Sequence, residues 1–513
     1  MWSTCAVESW ATSPGAGAVR TGLDLHLDVA AAGGLRAGLM RALRDAIRGG
    51  RLAPGARLPS SRSLAAALGV ARTTVADAYA ELIAEGWLVA RQGSGTRVAP
   101  RAATPRRAGR GRGPAAGQER PAHDLMAGFP DIGTFPRAAW LASARRALVA
   151  APRDAFGVQD PRGRPELRRA LADYLARARG VVADADRIVV CSGAHQALGL
   201  LSAVPRVRRA AMAVESYGLF LHHELLAAEG VRTVPLPVDE HGADVAELPA
   251  TGARSVLLTP AHQFPTGAPL HPARRAAVVD WARATGGLVV EDDYDGEFRF
   301  DRDPVGALQG LDPERVAYVG SLSKSLSPGM RLGWMVLPGR LVDDVLAVKG
   351  NWELTVGCLD QLTLADFLES GGFDRHVRRM RQRYRRRRDQ LAATLAERAP
   401  HLGVSGIAAG LHAVVRLPPG TEERVVAEAA RRGIGLNGLG RYRHPASTCP
   451  PADGLVVGYG SPPDHGFAAA LDALCGVLPA PEATSPPEPR LSAVSWPSSP
   501  PPRRRGPSTT TAR

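Results

Sequence analysis

The chain has 513 residues, is 45% apolar and carries a formal net charge of +14. Its length predicts more than one domain, and its apolar content suffices for sizeable cores. Five cysteines lie far apart without a CxxC pair, which argues against a zinc site or a disulfide framework and fits a reducing cytosol. The cysteine spacing also leads us to expect no bound metal. There is no uncharged apolar run of about 18 residues and no signal-peptide pattern, so we expect a soluble, cytoplasmic protein.

The positive charge is concentrated outside the long middle of the chain. Residues 21–99 contain ten arginines against six acidic residues, residues 100–123 six against one, and residues 479–513 five against two. A nearly neutral body with basic appendages predicts a nucleic-acid partner for the appendages. For residues 479–513 alone, solubility is the simpler explanation.

The first predicted elements follow an irregular segment, residues 1–30, to which we assign no structure. Apolar residues recur every four positions in the first helix, and Gly69-Val70 forms a tight turn between the next two. A hairpin closes the set. The predicted helices are Leu35–Arg48, Ser61–Leu68 and Arg72–Glu85, and the hairpin strands are Trp87–Ala90 and Thr96–Val98.

This order of elements resembles the winged helix-turn-helix of the GntR family, which implies an α+β DNA-binding domain over residues 31–99. Residues at the start of the second motif helix are expected to face the major groove, where arginine can contact guanine with two hydrogen bonds. Ala71 departs from the serine-like N-cap that is common there, at a cost of about 1 kcal/mol. Winged helices can also mediate protein contacts. The predicted DNA contacts are Arg62, Arg72, Thr73, Thr74 and, at the wing tip, Gly93.

Two segments lack any periodic pattern. Residues 100–123 are rich in proline, glycine and arginine and are predicted to form a flexible linker. Residues 479–513 are rich in proline, serine, threonine and arginine and are predicted to be disordered.

Helices and strands alternate between these two segments, over residues 124–478, which predicts an α/β domain with a parallel-rich sheet. We interpret the arginine-rich helix Arg375–Ala399 as having a solvated charged face. The other predicted helices are Arg164–Arg179 and Pro272–Thr285, and the strands outside the motifs below are Arg187–Val190, Ala211–Val214, Thr233–Leu236, Ser255–Leu258, Leu411–Leu417, Gly433–Leu436 and Gly454–Tyr459.

Three motifs in this α/β region lie at the ends of strands. Cys191–Leu198 (CSGAHQAL) is a glycine turn opening a helix, a geometry that binds phosphate through free N–H groups. Gly287–Phe300 (GLVVEDDYDGEFRF) places acids and a tyrosine after the strand Leu288–Val290. Gly320–Trp334 (GSLSKSLSPGMRLGW) follows the strand Val316–Val319.

The third motif contains one of only two lysines in the chain, Lys324 and Lys349. A desolvated lysine can lose its proton and attack a carbonyl, whereas arginine remains protonated. Arg331, seven residues on, is placed to pair with a phosphate. Lys324 follows Asp292 after 32 residues, and both lie at strand ends, a combination that structural carboxylates alone explain poorly.

Together these motifs resemble the pyridoxal-phosphate (PLP) site of fold-type I aminotransferases. The resemblance implies an α/β PLP-dependent transferase fold with large and small subdomains. Lys324 would form the Schiff base, Asp292 would face the pyridine nitrogen, and Tyr294 would donate to the phenolic oxygen. The further residues expected to bind the cofactor are Gly193, Ala194, His195, Ser321 and Arg331.

A GntR-type winged helix joined to such a domain resembles the MocR subfamily of transcriptional regulators. The resemblance implies an amine or amino-acid effector, regulation rather than metabolic flux, and a head-to-tail homodimer. Arg441 is the candidate partner for an effector carboxylate. The chain departs from the family pattern at Phe264, where asparagine is usual, and at Val158-Gln159, where Tyr-Gly is common. It also departs at Ser216–Leu219, where the ring-stacking residue is expected.

Three functions remain open from the sequence. The first is a PLP-dependent regulator that senses an amine, an amino acid or PLP itself. The second is a working aminotransferase with an accessory DNA-binding domain. The third is a DNA-binding protein whose large domain serves only for dimerisation. A transamination assay separates the second from the first, and an absorbance scan for bound cofactor separates the third.

Overall fold

A computed structural model describes residues 34–91, 95–100, 121–300, 305–350, 355–406 and 409–481. Gly93, residues 1–30, most of the predicted linker and nearly all of the predicted C-terminal tail lie outside these ranges. The chain divides into two compact units, residues 1–118 and 119–513. Among the described residues, no helix is both long and apolar enough to cross a membrane.

The first unit contains three helices and one hairpin. They are α1 (Leu35–Arg48), α2 (Ser61–Leu68), α3 (Arg72–Ala84), β1 (Leu88–Arg91) and β2 (Gly95–Val98). The four-residue spacing in α1 buries Leu39, Leu43 and Ile47 against the other two helices. The Ser60 side chain caps α2 by accepting from the Ser63 amide, and Gly69 ends that helix in the left-handed conformation.

The second unit is built on a seven-stranded sheet flanked by helices, with a smaller four-stranded sheet towards its C-terminus. Its helices are α4 (Arg137–Ala150), α5 (Pro165–Arg179), α6 (Ala194–Ala203), α7 (Pro205–Arg208), α8 (Phe220–Ala228), α9 (Leu248–Thr251), α10 (Pro272–Thr285), α11 (Gly339–Lys349), α12 (Cys358–Glu369), α13 (Gly372–Arg398), α14 (Glu422–Arg431) and α15 (Asp464–Cys475). Its strands are β3 (His123–Asp124), β4 (Ile188–Cys191), β5 (Met212–Glu215), β6 (Thr233–Leu236), β7 (Val238–Asp239), β8 (Gly242–Ala243), β9 (Ser255–Leu258), β10 (Leu288–Asp292), β11 (Val316–Ser321), β12 (Gly333–Val336), β13 (Val404–Ser405), β14 (His412–Arg416), β15 (Ile434–Gly435), β16 (Asn437–Gly438) and β17 (Gly454–Gly458).

The large sheet has the strand order β4-β12-β11-β10-β9-β5-β6. Its neighbours pair in parallel except around β12, which is antiparallel to both β11 and β4. Every residue of β9, β10 and β11 is buried, as expected for parallel strands covered on both faces. The predicted parallel-rich sheet is confirmed, whereas the strand β12 was not predicted.

A glycine in β12 lets this strand approach both of its neighbours closely. Gly333 pairs with Ser321 of β11 on one side and with Cys191 of β4 on the other. A Cβ on Gly333 would lie 2.7 Å from the Gly193 Cα and 2.8 Å from the Gly320 carbonyl oxygen. Only glycine permits so close an approach of backbones.

The smaller sheet has the order β13-β14-β17-β16 and packs with α13, α14 and α15. The interpretation of the α13 charge run as a solvated face is wrong for part of the helix. Arg387 is buried, donates to the Tyr459 and Gly460 carbonyls and pairs with Asp464 at 2.8 Å. Asp464 balances the charge of this cation and the two carbonyls accept its hydrogen bonds, without which its burial would be costly.

Candidate functional site

A cavity of about 440 Å³ lies beside the carboxyl ends of the central strands of the large sheet. It collects residues that are distant in the chain and that the sequence singled out. Those lining it are Ala194, His195, Asp292, Tyr294, Ser321, Lys324 and Arg331. Gly193 caps α6 behind them.

Lys324 extends into this cavity and is half-buried. Protein atoms surround its amine closely, and burial lowers its pKa, although Asp292 and Asp295 oppose the shift. The Nζ lies 5.6 Å from the Phe129 ring centre, and a Cβ on Gly128 would be 3.4 Å from it. A lowered pKa increases the share of neutral amine, the form that attacks carbonyls.

The acidic residues of Glu291–Asp295 point in different directions. Asp292 is the acid of this segment that lines the cavity, and its Oδ1 has no hydrogen-bond partner. Burial raises its pKa to about 7, with Lys324 acting against the shift. The other three acids have protein partners: Glu291 accepts from the Leu308 and Gln309 amides, Asp293 pairs with Arg179 and accepts from Tyr318, and Asp295 contacts His262.

The opposite end of the cavity is suited to an anion. Gly193 has φ +105°, and a Cβ there would lie 3.5 Å from a guanidinium nitrogen of Arg331. Ala194 and His195 begin α6, where backbone N–H groups and the helix dipole favour negative charge. Arg331 itself adopts the left-handed conformation, with φ +46°, which is strained for a residue other than glycine.

Tyr294 lies on the cavity wall beside His262. Its hydroxyl is 2.9 Å from the His262 Nδ1, and its pKa is raised well above the usual value, mainly by burial. Tyr294 therefore stays protonated and can donate a hydrogen bond. Phe264, which replaces the usual asparagine, packs edge-on against the Tyr294 ring at 5.7 Å.

These features fit PLP in three separate ways. The unpartnered Asp292 oxygen suits a protonated ring nitrogen, the glycine cradle beside Arg331 suits a phosphate, and the Lys324 amine suits an aldehyde. Leu219, in the segment where a ring-stacking residue is expected, lines the cavity, whereas the Tyr217 hydroxyl accepts from the Ala452 amide.

Arg441 is not among the residues that line the cavity. Its guanidinium lies 4.1 Å from the Phe220 ring centre, and the side chain is exposed. The structure therefore does not bring Arg441 together with Lys324. Its assignment to an effector carboxylate stays a prediction.

Several residues near the site were missed by sequence reasoning. Glu215 ends β5 and lines the cavity, and burial raises its pKa to about 7. His222, from α8, has its Nδ1 3.9 Å from the Asp292 Oδ2, and burial lowers its pKa to about 3. The position of Glu215 after a buried strand was a usable signal, whereas nothing in the sequence marked His222.

A further cluster lies behind Tyr294. One donor atom from each of His262, Asp295 and His412 lies within 4.8 Å of the others, and all three residues are buried. Such a set can hold a metal ion, although the sequence predicted none. His262 lies two residues before Phe264, but the cluster joins three distant parts of the chain.

The predicted DNA-contacting residues that the structure describes lie on one motif in the first unit. Arg62 and Arg72 are exposed near the starts of α2 and α3, Thr73 is exposed and Thr74 is half-buried. Ala71 provides no side-chain cap for α3, as the sequence indicated. Gly93 lies outside the described residues.

Comparison with known proteins matches both units to families. The model for aminotransferase class I and II matches residues 124–434, and the model for bacterial regulatory proteins of the gntR family matches residues 35–98. The probable rhizopine catabolism regulatory protein MocR of Rhizobium meliloti is 33% identical over 82% of this chain and 89% of that protein. The HTH-type pyridoxine biosynthesis transcriptional regulator PdxR of Corynebacterium glutamicum is 33% identical over 82% of this chain and 91% of that protein.

Solved structures resemble the second unit. An archaeal alanine:glyoxylate aminotransferase has a TM-score of 0.63 at 24% identity, covering 69% of this chain and 90% of that chain. The kynurenine aminotransferase of Pyrococcus horikoshii has a TM-score of 0.63 at 22% identity, covering 70% and 91%. These likenesses confirm the predicted fold. The chain belongs to the MocR-type, GntR-family transcriptional regulators, in which a DNA-binding helix-turn-helix unit precedes an aminotransferase-like domain of a class that typically binds PLP.

Proposed function

We propose that this regulator binds PLP in the cavity around Lys324 and uses it to sense an amine, an amino acid or PLP itself, changing its affinity for DNA in the cytoplasm. The observation that carries the proposal is the convergence of Lys324, Asp292, Tyr294 and Arg331 on one cavity in a chain that also has a GntR-type unit.

Each residue has a distinct part in holding the cofactor. Lys324 would bond it covalently, Asp292 would accept from the ring nitrogen, and Tyr294 would donate to the phenolic oxygen. Arg331, with Ser321 and the start of α6, would bind the phosphate. When bound, PLP supplies an aldehyde that reacts with amines and a ring that withdraws electrons.

The cavity also supports a second candidate function, that of a working aminotransferase. The lysine and carboxylate that would hold the cofactor are also the groups that such an enzyme needs, and burial already lowers the pKa of Lys324. The regulator is the better proposal because this chain aligns with HTH-type regulators over most of its length.

A second copy of the chain is the proposed partner of the aminotransferase-like unit, in a head-to-tail dimer. A group of large apolar residues is exposed between residues 129 and 158, an arrangement typical of an interaction surface. Phe129 belongs both to this group and to the cavity wall, so a partner bound to this group would contact a residue of the cavity. The exposed members are Phe129, Ile132, Leu141, Leu148, Val149, Phe156 and Val158.

The chain's two lysines allow a matched test of the proposal. Purified protein is given PLP, and lysine-bound cofactor is detected by visible absorbance and borohydride trapping. Lys324→Ala should lose both signals. Lys349→Met should retain them, because Lys349 is buried, donates to the Val190 carbonyl and is not among the residues that line the cavity.

The same variants test regulation. DNA fragments selected by the wild type are titrated at fixed salt and PLP, with α-amino acids, simple alkylamines or additional PLP. At least one ligand should change the DNA affinity of the wild type by about 5–150-fold, the usual range of coupling between sites. The same ligand should not change the DNA affinity of Lys324→Ala. Steady-state transamination with DNA affinity unchanged by every ligand would favour the enzyme instead.

A further inference from the structure

The polar cluster behind Tyr294 is distinct from the residues that would touch the cofactor. His262 and Asp295 are each 2% exposed at the side chain, and the His262 Nδ1 is 2.9 Å from the Asp295 Oδ2. The same Nδ1 is 2.9 Å from the Tyr294 hydroxyl. Two oxygens therefore share one ring nitrogen.

The partners of the ring determine where its proton sits. The Asp295 carboxylate can only accept, so the hydrogen bond requires a proton on the His262 Nδ1. The opposite nitrogen, Nε2, is buried and has no partner. A proton on Nε2 would leave a buried donor unsatisfied, which is costly, and would leave the carboxylate without its donor.

The neighbouring ring of His412 does not reverse this assignment. Its Nε2 is 3.0 Å from the Pro265 carbonyl oxygen, which can only accept, so the His412 proton lies on Nε2. The other His412 nitrogen, Nδ1, is buried and has no hydrogen-bond partner, so a second proton there would be unsatisfied. Because the His262 Nε2 also has no partner, no hydrogen bond joins the two rings, and His412 offers no acceptor for a proton on that nitrogen.

With its proton on Nδ1, His262 donates to both Asp295 and Tyr294. The Tyr294 oxygen is then an acceptor in this contact, and its own proton must be donated elsewhere. Tyr294 lines the cavity, on the side where the cofactor would lie. An imidazole carrying its proton on the other nitrogen would instead draw the Tyr294 proton away from the cavity.

We infer that His262, held by Asp295, is a positioning residue that turns the Tyr294 hydroxyl into a hydrogen-bond donor towards the ligand in the cavity. This inference rests on the proposed function, because the acceptor it serves is the phenolic oxygen of PLP. Gly410 packs directly against this pair and leaves the space that it needs, since a Cβ on Gly410 would lie 2.2 Å from the His262 Cε1 and 2.6 Å from the Asp295 Oδ2.

A double-mutant cycle tests the inference by PLP titration at fixed pH, with absorbance and fluorescence as readouts. Tyr294→Phe and His262→Leu should each weaken PLP binding about tenfold, the scale of one hydrogen bond to a charged group. Because His262 acts through Tyr294, the double variant should bind within about twofold of Tyr294→Phe. His262→Asn, which can return an N–H to the position of Nδ1, should recover most of the affinity.

Asp295→Asn provides a second route if His262→Leu fails to fold. Asn lacks the negative charge that holds the proton on the His262 Nδ1, and its amide can also donate to that nitrogen, so the Tyr294 hydroxyl is no longer fixed as a donor towards the cavity. The absorbance of bound PLP should then shift towards that of Tyr294→Phe, and an unchanged absorbance would count against the positioning role. Losses that multiply in the double variant, or no recovery with His262→Asn, would overturn the positioning role while leaving PLP binding intact. A wild type that binds no PLP would overturn both proposals.

Discussion

Asp292 and Asp293 are adjacent in sequence, yet their neutralisation should have opposite effects on the stability of the cofactor-free protein. Asp292 is buried with one oxygen unpartnered, and burial raises its pKa from 3.8 to about 7. Asp293 is paired with Arg179 at 2.7 Å, and both side chains are almost wholly buried. The buried charge of Asp293 is balanced by the Arg179 guanidinium, whereas one buried oxygen of Asp292 has no hydrogen-bond partner.

The size and sign of the Asp292 effect follow from its pKa. A shift of about three units corresponds to about 4 kcal/mol. Because the folded pKa lies above the unfolded one, this acid lowers the stability of the folded state progressively as pH rises from about 4 to about 7. Asp292→Asn removes that loss, so its stability relative to wild type should be about 2–3 kcal/mol greater at pH 8 than at pH 5.

Urea unfolding of cofactor-free protein, followed by tryptophan fluorescence, measures the effect, since Trp334 is buried in β12. Asp293→Asn is the matched control. It leaves the Arg179 cation buried without its partner and should cost roughly 3–5 kcal/mol at both pH values. Asp292→Asn should also bind PLP more weakly than wild type. A stability difference for Asp292→Asn that is equal at pH 5 and pH 8 would refute the reasoning.

Two further predictions concern the backbone of the site and the DNA-binding unit. Gly333→Ala places a Cβ 2.7 Å from the Gly193 Cα, so we expect a loss of roughly 1–3 kcal/mol in urea unfolding and weaker PLP binding; an unchanged midpoint would contradict the close packing. Arg72→Ala should weaken binding to selected DNA by about 1–3 kcal/mol in a fluorescence titration while leaving the absorbance of bound PLP unchanged, and a shifted spectrum with intact DNA affinity would contradict a modular chain.

The sequence was most informative where one residue type was rare or a strand ended. Lys324 could be identified because the chain has only one other lysine, and family pattern selected Asp292 from several nearby acids. The structure adds a reason for that choice, since the other acids of Glu291–Asp295 already have partners.

The features that were missed depend on contacts between distant segments. Arg387 lies in an arginine-rich run, and its burial is explained only by Asp464 and by carbonyls more than 70 residues away. His262 and His412 are separated by 150 residues and meet only in the folded chain. The strand β12 was overlooked because its four residues directly follow a glycine- and serine-rich loop.

The close packing at Gly320 and Gly333 fixes the strands beside the cavity independently of the side chains that line it. Leu219, which caps α8, and Phe264, in the loop between β9 and α10, line the cavity from outside the large sheet. A side chain at Gly333 would instead push apart the backbones of β12 and its neighbours, and one at Gly320 would clash with the Trp334 ring of β12. Substitutions on the cavity wall can therefore change which ligand fits, while the packing of the strands keeps the aminotransferase-like shape of the unit.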